Sequence, residues 1–183
     1  MDSYLNKNFS LVAISDIKIK ETIQALTKSH KLSKPTKTIL FTSKSVTLKR
    51  NESKIINIIQ INEIKSLKDY SHFIIYSLHK YIDSTHVLIV QWDGYVINGQ
   101  KWNKSFLNYD YIGAPFIPRF KDESYSRDKN GGFHAIGNGG FSMRSKRLLE
   151  APTKYKLVDN FSFTNYHEDG FFSVYHRYFF ESK

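Results

Sequence analysis

Residues 10–42 read SLVAISDIKIKETIQALTKSHKLSKPTKTILFT, and this stretch decides the architecture. Ser10 to Ser15 is an apolar run of strand length. Ser15 and Asp16 follow, each with a side-chain oxygen able to accept from the free N–H groups of a first helical turn, so either can cap a helix. Ile19, Ile23, Leu26 and His30 then recur at helical spacing. Lys34-Pro35 ends the pattern, because proline disfavours helix in the residue before it. Thr38 to Thr42 is a second strand. Strand, helix, strand within roughly thirty residues is a βαβ unit and implies parallel pairing.

Outward from this unit the alternation continues. Lys44 to Lys54 is polar and reads as a loop, and Ile55 to Ile61 as a third strand. Ser66 opens a helix with Asp69 three positions on, as in a capping box with Asp in place of Glu. Leu67, Tyr70, Ile74, Leu78 and Tyr81 form its apolar stripe. His86 to Gln91 (HVLIVQ) is a continuous β-branched run, the pattern of a strand buried on both faces. It leads directly into Trp92-Asp93-Gly94. Beyond it aromatic residues, glycines and prolines rise. Pro118 to Gly132 is charged and glycine-ended, with the character of a mobile lid. Leu148 to Lys156 carries Pro152, and Asp169 to Phe180 reads as an aromatic-rich helix. The expectation is one α/β domain over 1–183, with a central, mostly parallel sheet flanked by helices. Residues 9–94 would be its nucleotide-binding half and 95–183 its acceptor and catalytic half.

Composition narrows the function classes. The chain has 183 residues, no cysteine and a net charge of +10. Disulfides and thiolate metal sites are excluded, and a reducing, cytoplasmic compartment is the default. Met1 to Ser10 lacks the basic and apolar regions of a secretory signal. No apolar run has the length of a bilayer span. A basic balance suits nucleic acid, an anionic membrane surface or phosphorylated ligands. Only six of the 27 basic residues are arginine and the lysines are scattered, unlike the clustered arginines of nucleic-acid readers. A solvated lysine-rich surface accounts for the charge equally well, so nucleic acid is not an expected partner.

Three constellations could carry chemistry. Gln91-Trp92-Asp93-Gly94 stands at the carboxyl end of the central strand, where open α/β sheets bind ligands. Alternation puts Gln91 and Asp93 on one side. An oxygen-ligated Mg²⁺ or Mn²⁺ bridging to a diphosphate would suit that pair; Asp-Gly is also a common turn pair. Gly137-Asn138-Gly139-Gly140 allows backbone N–H groups to line a concave wall for sugar hydroxyls or phosphates, and it also suits a glycine-rich hairpin. Ser145 can cap the helix after it. His167-Glu168-Asp169-Gly170 precedes a helix whose dipole would keep a carboxylate ionised, fit for a general base or simply for an acidic cap.

The order of these motifs resembles the glycosyltransferase-like family known as domain of unknown function 5672. The residues that carry the resemblance are His86 to Gly94 (HVLIVQWDG), Asp110 to Pro115 (DYIGAP), Gly137 to Ser145 (GNGGFSMRS) and His167-Glu168-Asp169, with Tyr70, Ser71 and Phe73. The match runs from about Phe9 to the end. It implies a Rossmann-like GT-A fold with Gln91-Trp92-Asp93 in the place of an Asp-x-Asp metal motif. Asp93 matches its last carboxylate, and Gln91 departs from its first. The glycine stretch, with Gly139 and Gly140, is similar to the loop beside the donor sugar. Asp169 matches the catalytic base of inverting enzymes, with Glu168 orienting the acceptor or supporting it. Ile14, Ser15 and Asp16 would meet the base and ribose. Such folds often carry a later metal-binding histidine; only His176 follows, within the expected helix. The resemblance also implies a closing segment, so the chain reads as C-terminally shortened.

The function so implied is transfer of a hexose from a nucleoside-diphosphate sugar to a hydroxyl acceptor, inverting and dependent on Mn²⁺ or Mg²⁺. The donor-contacting set would be Ile14, Ser15, Asp16 and Tyr70, then Gln91 to Gly94 with Gly139 and Gly140. Two other readings stand beside it. One is a degenerate fold that binds sugar or nucleotide without turnover. The other is a basic nucleic-acid-binding module, for which only the charge speaks.

Overall fold

The computed structural model describes residues 8–116, 128, 130, 132, 134, 136–158 and 167–181. Strand β1 (Phe9–Ile14), helix α1 (Ile19–Ser33) and strand β2 (Lys37–Thr42) form the expected unit. β1 and β2 pair in parallel with Val12 opposite Ile39. The start of α1 corrects one expectation. Its N-cap is Lys18 in the left-handed region, with no side-chain cap. Ser15 Oγ instead bonds within its own turn, to Ile17. The Asp16 carboxylate is drawn away by donors from Thr42, Ser43 and Ile64, more partners than a helix end would offer one oxygen.

β3 (Asn57–Gln60) joins β2 in parallel, and β4 (His86–Ile89) joins the other side of β1 in parallel. β5 (Tyr111–Phe116) and β6 (Ile136–Ser145) complete a six-stranded sheet of order β3-β2-β1-β4-β6-β5. β6 runs antiparallel to both β4 and β5. The sheet is therefore mixed, with a parallel block of four strands, which is the α/β class expected. Gly137 to Gly140 lie within β6, so the glycine stretch is strand and not loop. The lack of side chains at its glycines suits close neighbours: a Cβ on Gly137 would come within 2.5 Å of the Tyr111 ring across the β5–β6 ladder.

Alternation along the strands divides the core between two faces. Val12, Ile14, Ile39, Phe41, Val87 and Ile89 pack on one side with helix α2 (Leu67–Tyr76) and helix α3 (Lys146–Lys154). Leu11, Ala13, Leu40, Leu88 and Val90 pack on the other with Ile23 and Leu26 of α1. Both faces of β4 are covered, as its unbroken apolar sequence requires.

The capping box on α2 is present. Ser66 Oγ accepts from the Asp69 N–H at 3.2 Å. The Asp69 carboxylate in turn accepts from the Lys65 N–H at 3.0 Å and the Ser66 hydroxyl at 2.8 Å. Ser145 caps α3 by accepting from the Leu148 N–H. The expected helix from Asp169 is broken into α4 (Glu168–Gly170), a π-helical turn over Phe171–Tyr175, and α5 (Arg177–Glu181). Phe171, Phe172 and Val174 are all buried. Adjacent buried residues strain a single α-helical stripe, and one widened turn lets them share the core.

Among the described residues no helix is long and apolar enough to cross a membrane. The expected lid, Pro118 to Gly132, lies outside the described residues except for Asp128, Asn130 and Gly132. Asp128 is buried; its carboxylate accepts from the N–H groups of Asn130 and Gly132 and from the Tyr178 hydroxyl, and pairs with His134 Nε2 at 2.8 Å.

Candidate active site

The carboxyl ends of β1 and β4 and the start of α2 enclose a cavity of about 430 Å³. Ile14, Ser15, Asp16, Tyr70, Gln91 and Trp92 line it, together with Lys65. All but Lys65 are sequence-derived donor contacts of the first half, brought to one place by the parallel topology. Asp16 serves the walls of the cavity. Its two oxygens accept from the Thr42 hydroxyl, the Ser43 N–H and hydroxyl, and the Ile64 N–H, at 2.7 to 2.8 Å. Burial opposes its ionisation, but these donors outweigh burial and hold its pKa below the usual carboxylate value. Asp16 thus ties the end of β1 to the end of β2 and to the segment leading into α2.

Gln91-Trp92-Asp93-Gly94 is closed as a tight turn. The Gln91 N–H donates to Gly94 O at 2.9 Å and the Gly94 N–H to Gln91 O at 3.2 Å. The turn reading of Asp-Gly and its site reading are compatible, because the turn leaves Trp92 and Asp93 exposed beyond the strand end. Lys18 Nζ lies 5.7 Å from the centre of the Trp92 ring. Gln91 points another way. Its Nε2 donates to the Tyr70 hydroxyl at 3.1 Å, and its Oε1 lies so close to Gly140 that an added Cβ would approach to 2.4 Å.

Through Tyr70 this turn reaches a buried charged cluster. Arg144 of β6 is 0% exposed, Glu168 3% and Asp169 8%. Arg144 Nη2 pairs with Glu168 Oε1 at 2.8 Å, and Arg144 Nε donates to Ser142 Oγ at 3.1 Å. The guanidinium lies over the rings of Tyr111 and Phe172, while Nη1 has no hydrogen-bond partner among the described residues. Gly139 is where the cluster meets the sheet: a Cβ there would stand 2.1 Å from Glu168 Oε1. The Gly139 N–H points at Asp169 Oδ2 at 3.3 Å, and the Gly170 N–H donates to Asp169 Oδ1 at 2.8 Å.

At Asp169 the electrostatics are dominated by burial, a contribution that the reading of a helix end leaves out. Burial, and then the neighbouring Glu168 carboxylate, push Asp169 up to about 7, against the opposing pull of Arg144 and the two backbone donors. At this depth the loss of hydration outweighs the stabilisation that a helix start gives a carboxylate. Burial and the Glu168 charge also hold the Tyr70 hydroxyl well above its usual range. His167 precedes the cluster as the α4 N-cap residue, without a side-chain cap bond. His176 ends the π-helical turn, where its Nε2 contacts Val158 O at 3.0 Å.

The structure therefore brings Tyr70, Gln91, Gly139, Gly140, Glu168 and Asp169 together. Ile14, Ser15, Asp16 and Trp92 line the adjoining cavity. Asp93 and Gly94 stand at its outer turn, with Gly94 against Phe141 of β6. Sequence reasoning did not single out Arg144 or Tyr111. The signal was available: a charged residue alternating with Met143 in a buried strand needs a buried partner of opposite charge, and Glu168-Asp169 is the acidic pair of the motif set.

The family described as Protein of unknown function (DUF5672) matches residues 52–182. The chain belongs to this family. The match takes in α2, β4 and every member of the charged cluster, while β1, α1 and β2 precede it. No curated protein matches the chain. Among solved structures, similarity is found to a mannosyltransferase, PcManGT from Pyrobaculum calidifontis, in complex with GDP-Man and Mn²⁺. The TM-score is 0.47 at 10% identity, over 78% of this chain and 46% of that one. The DUF5672 chain thus spans less than half the length of that protein.

Proposed function

We propose that this DUF5672 protein is a GT-A-type glycosyltransferase that moves a hexose from a nucleoside-diphosphate sugar to a hydroxyl acceptor with inversion. The observation that carries the reading is the junction at Tyr70 and Gln91. It joins a cavity at the carboxyl ends of parallel strands, the usual place for a nucleotide, to a buried carboxyl poised near neutrality.

In this reading the nucleotide occupies the cavity, with Trp92 beside it and Lys18 and Lys65 offsetting diphosphate charge. Asp169 takes the proton of the acceptor hydroxyl. The acceptor oxygen then bonds to the anomeric carbon as the bond to the diphosphate oxygen breaks, through an oxocarbenium-like state. A carboxyl near pH 7 is matched to this task, since it is substantially ionised yet still basic. Glu168, held by Arg144, supports Asp169. With no cysteine in the chain, we take the cytoplasm as its compartment.

A divalent cation fits in part. Among the described residues no three metal-ligating side chains cluster, and the Gln91 amide nitrogen is engaged by the Tyr70 hydroxyl. Asp93 is exposed, and one carboxylate beside donor phosphates is an ordinary Mg²⁺ or Mn²⁺ donor set. Asp93 would hold the ion, with Gln91 adjacent. The ion would stabilise charge on the departing diphosphate. We expect Asp93→Ala to fold normally and to lose Mn²⁺-dependent affinity for a nucleoside diphosphate. Calorimetry on both proteins checks this; equal Mn²⁺-dependent affinities would remove Asp93 from the site. The engagement of Gln91 favours one other reading, a domain that binds a nucleotide sugar without turnover. Donor binding with no transfer to any acceptor would select it.

A further inference from the structure

The buried cluster holds two adjacent carboxyls and one cation. Arg144 is fully enclosed and keeps its charge at all working pH values. Among the described residues its direct ion pair is to Glu168 alone. Asp169 has backbone donors from Gly139 and Gly170. Two like charges side by side in a site of low polarity with a single counter-charge cannot both remain ionised cheaply. Among the described residues, the other titratable groups facing Asp169 are Tyr70 from α2 and Tyr111 from β5, whose hydroxyls burial keeps neutral, so neither supplies a second charge. The pair must hold a proton over part of the accessible pH range, and the geometry decides where it sits.

We propose that Arg144 is a positioning residue that locks Glu168 as the charged member of the pair and thereby leaves Asp169 as the carboxyl that takes up and releases the proton. The contacts around Arg144 suit that duty. Ser142 Oγ holds Nε, the guanidinium lies 4.9 Å from the Tyr111 ring and 5.5 Å from the Phe172 ring, and Gly139 leaves room for Glu168 to reach it. The inference deepens the base role given to Asp169. It rests on that reading only for its effect on rate; the placement of the proton is a property of the resting protein.

The test reads the proton without turnover. The amide resonances of Gly139 and Gly170, whose N–H groups point at Asp169, and the Asp169 carboxyl carbon are followed by NMR across pH 4 to 9. In the wild type they should titrate together near neutrality. In Glu168→Gln, which keeps Arg144 and removes the competing charge, the midpoint should move to acid by about one pH unit or more. In Arg144→Met it should move to alkali; should that variant not fold, Arg144→Lys and Glu168→Gln decide. A wild-type Asp169 midpoint near 4, the ordinary carboxylate value, would overturn the proposal, as would a Glu168→Gln midpoint that does not move. Where transfer is measurable, its rising pH limb should shift with the NMR midpoint. A titration that behaves as stated in a protein that transfers no sugar would sustain the proton assignment and defeat the transferase reading.

Discussion

Asp169→Asn should lower single-turnover transfer on the order of a hundredfold or more, the usual consequence of losing a general base, with donor affinity nearly unchanged. Asn keeps the shape and can still accept from a backbone N–H, but cannot take a proton. Were Asp169 only a structural acceptor for the Gly139 and Gly170 N–H groups, Asn would replace it at little cost. The same variant should be more stable than the wild type in alkali. The folded-state pKa of Asp169 is raised from its ordinary value near 3.8 to about 7, so between those values the folded protein binds more protons than the unfolded chain. The contribution of Asp169 to stability is therefore fully present below about pH 4 and is lost as pH rises through 7. Asn does not ionise and escapes the loss. Relative to the wild type, the variant should gain on the order of 2–4 kcal/mol at pH 8 and nothing at pH 4. Urea unfolding at the two pH values, set beside the transfer rates, checks both halves. Undiminished transfer would leave Asp169 as a structural group and turn attention to Glu168.

The second large effect is expected at Arg144. Arg144→Met removes the only cation that pairs with Glu168 among the described residues; the Glu168 side chain is 4% exposed, so the change strands a carboxylate in the core. Breaking one partner of a buried pair costs about 3–5 kcal/mol, a large part of the stability of a single domain. The melting temperature should fall by roughly 6–20 °C for a chain of this size. Replacing both partners is a different experiment. Arg144→Met with Glu168→Gln removes both charges, and such double replacements are often nearly neutral. The double variant should therefore recover much of the loss. A single variant as stable as the wild type would mean that the pair is solvated in solution.

Much of this arrangement was legible in the sequence, for reasons that differ by region. The βαβ unit of residues 10–42 was readable because two continuous apolar runs flank one helical stripe, and burial on both faces leaves few other solutions. The α2 capping box was readable because its partners are local in the chain. The start of α1 was not: the pull on Asp16 comes from Thr42, Ser43 and Ile64, which are distant in sequence. The direction of β6 was hidden too. Three glycines in four residues look like a loop when the close neighbours that require them, Glu168 for Gly139 and Gln91 for Gly140, are not in view. The acidic pair was legible, but the rise in the Asp169 pKa was not, because local sequence shows a helix end and not the depth at which it is buried.

The most direct test of the central claim is a thermal-melt panel of nucleoside diphosphates and nucleoside-diphosphate sugars, each with and without Mn²⁺. A ligand that binds only the native state stabilises it by about 2.7 kcal/mol at a hundred times its Kd, or roughly 5–10 °C here. The account predicts that at least one nucleoside-diphosphate sugar gives such a rise, that Mn²⁺ enlarges it, and that Asp93→Ala abolishes the enlargement. A flat response to every nucleotide, at concentrations up to several millimolar, would contradict the claim that the cavity between β1, β4 and α2 is a donor site.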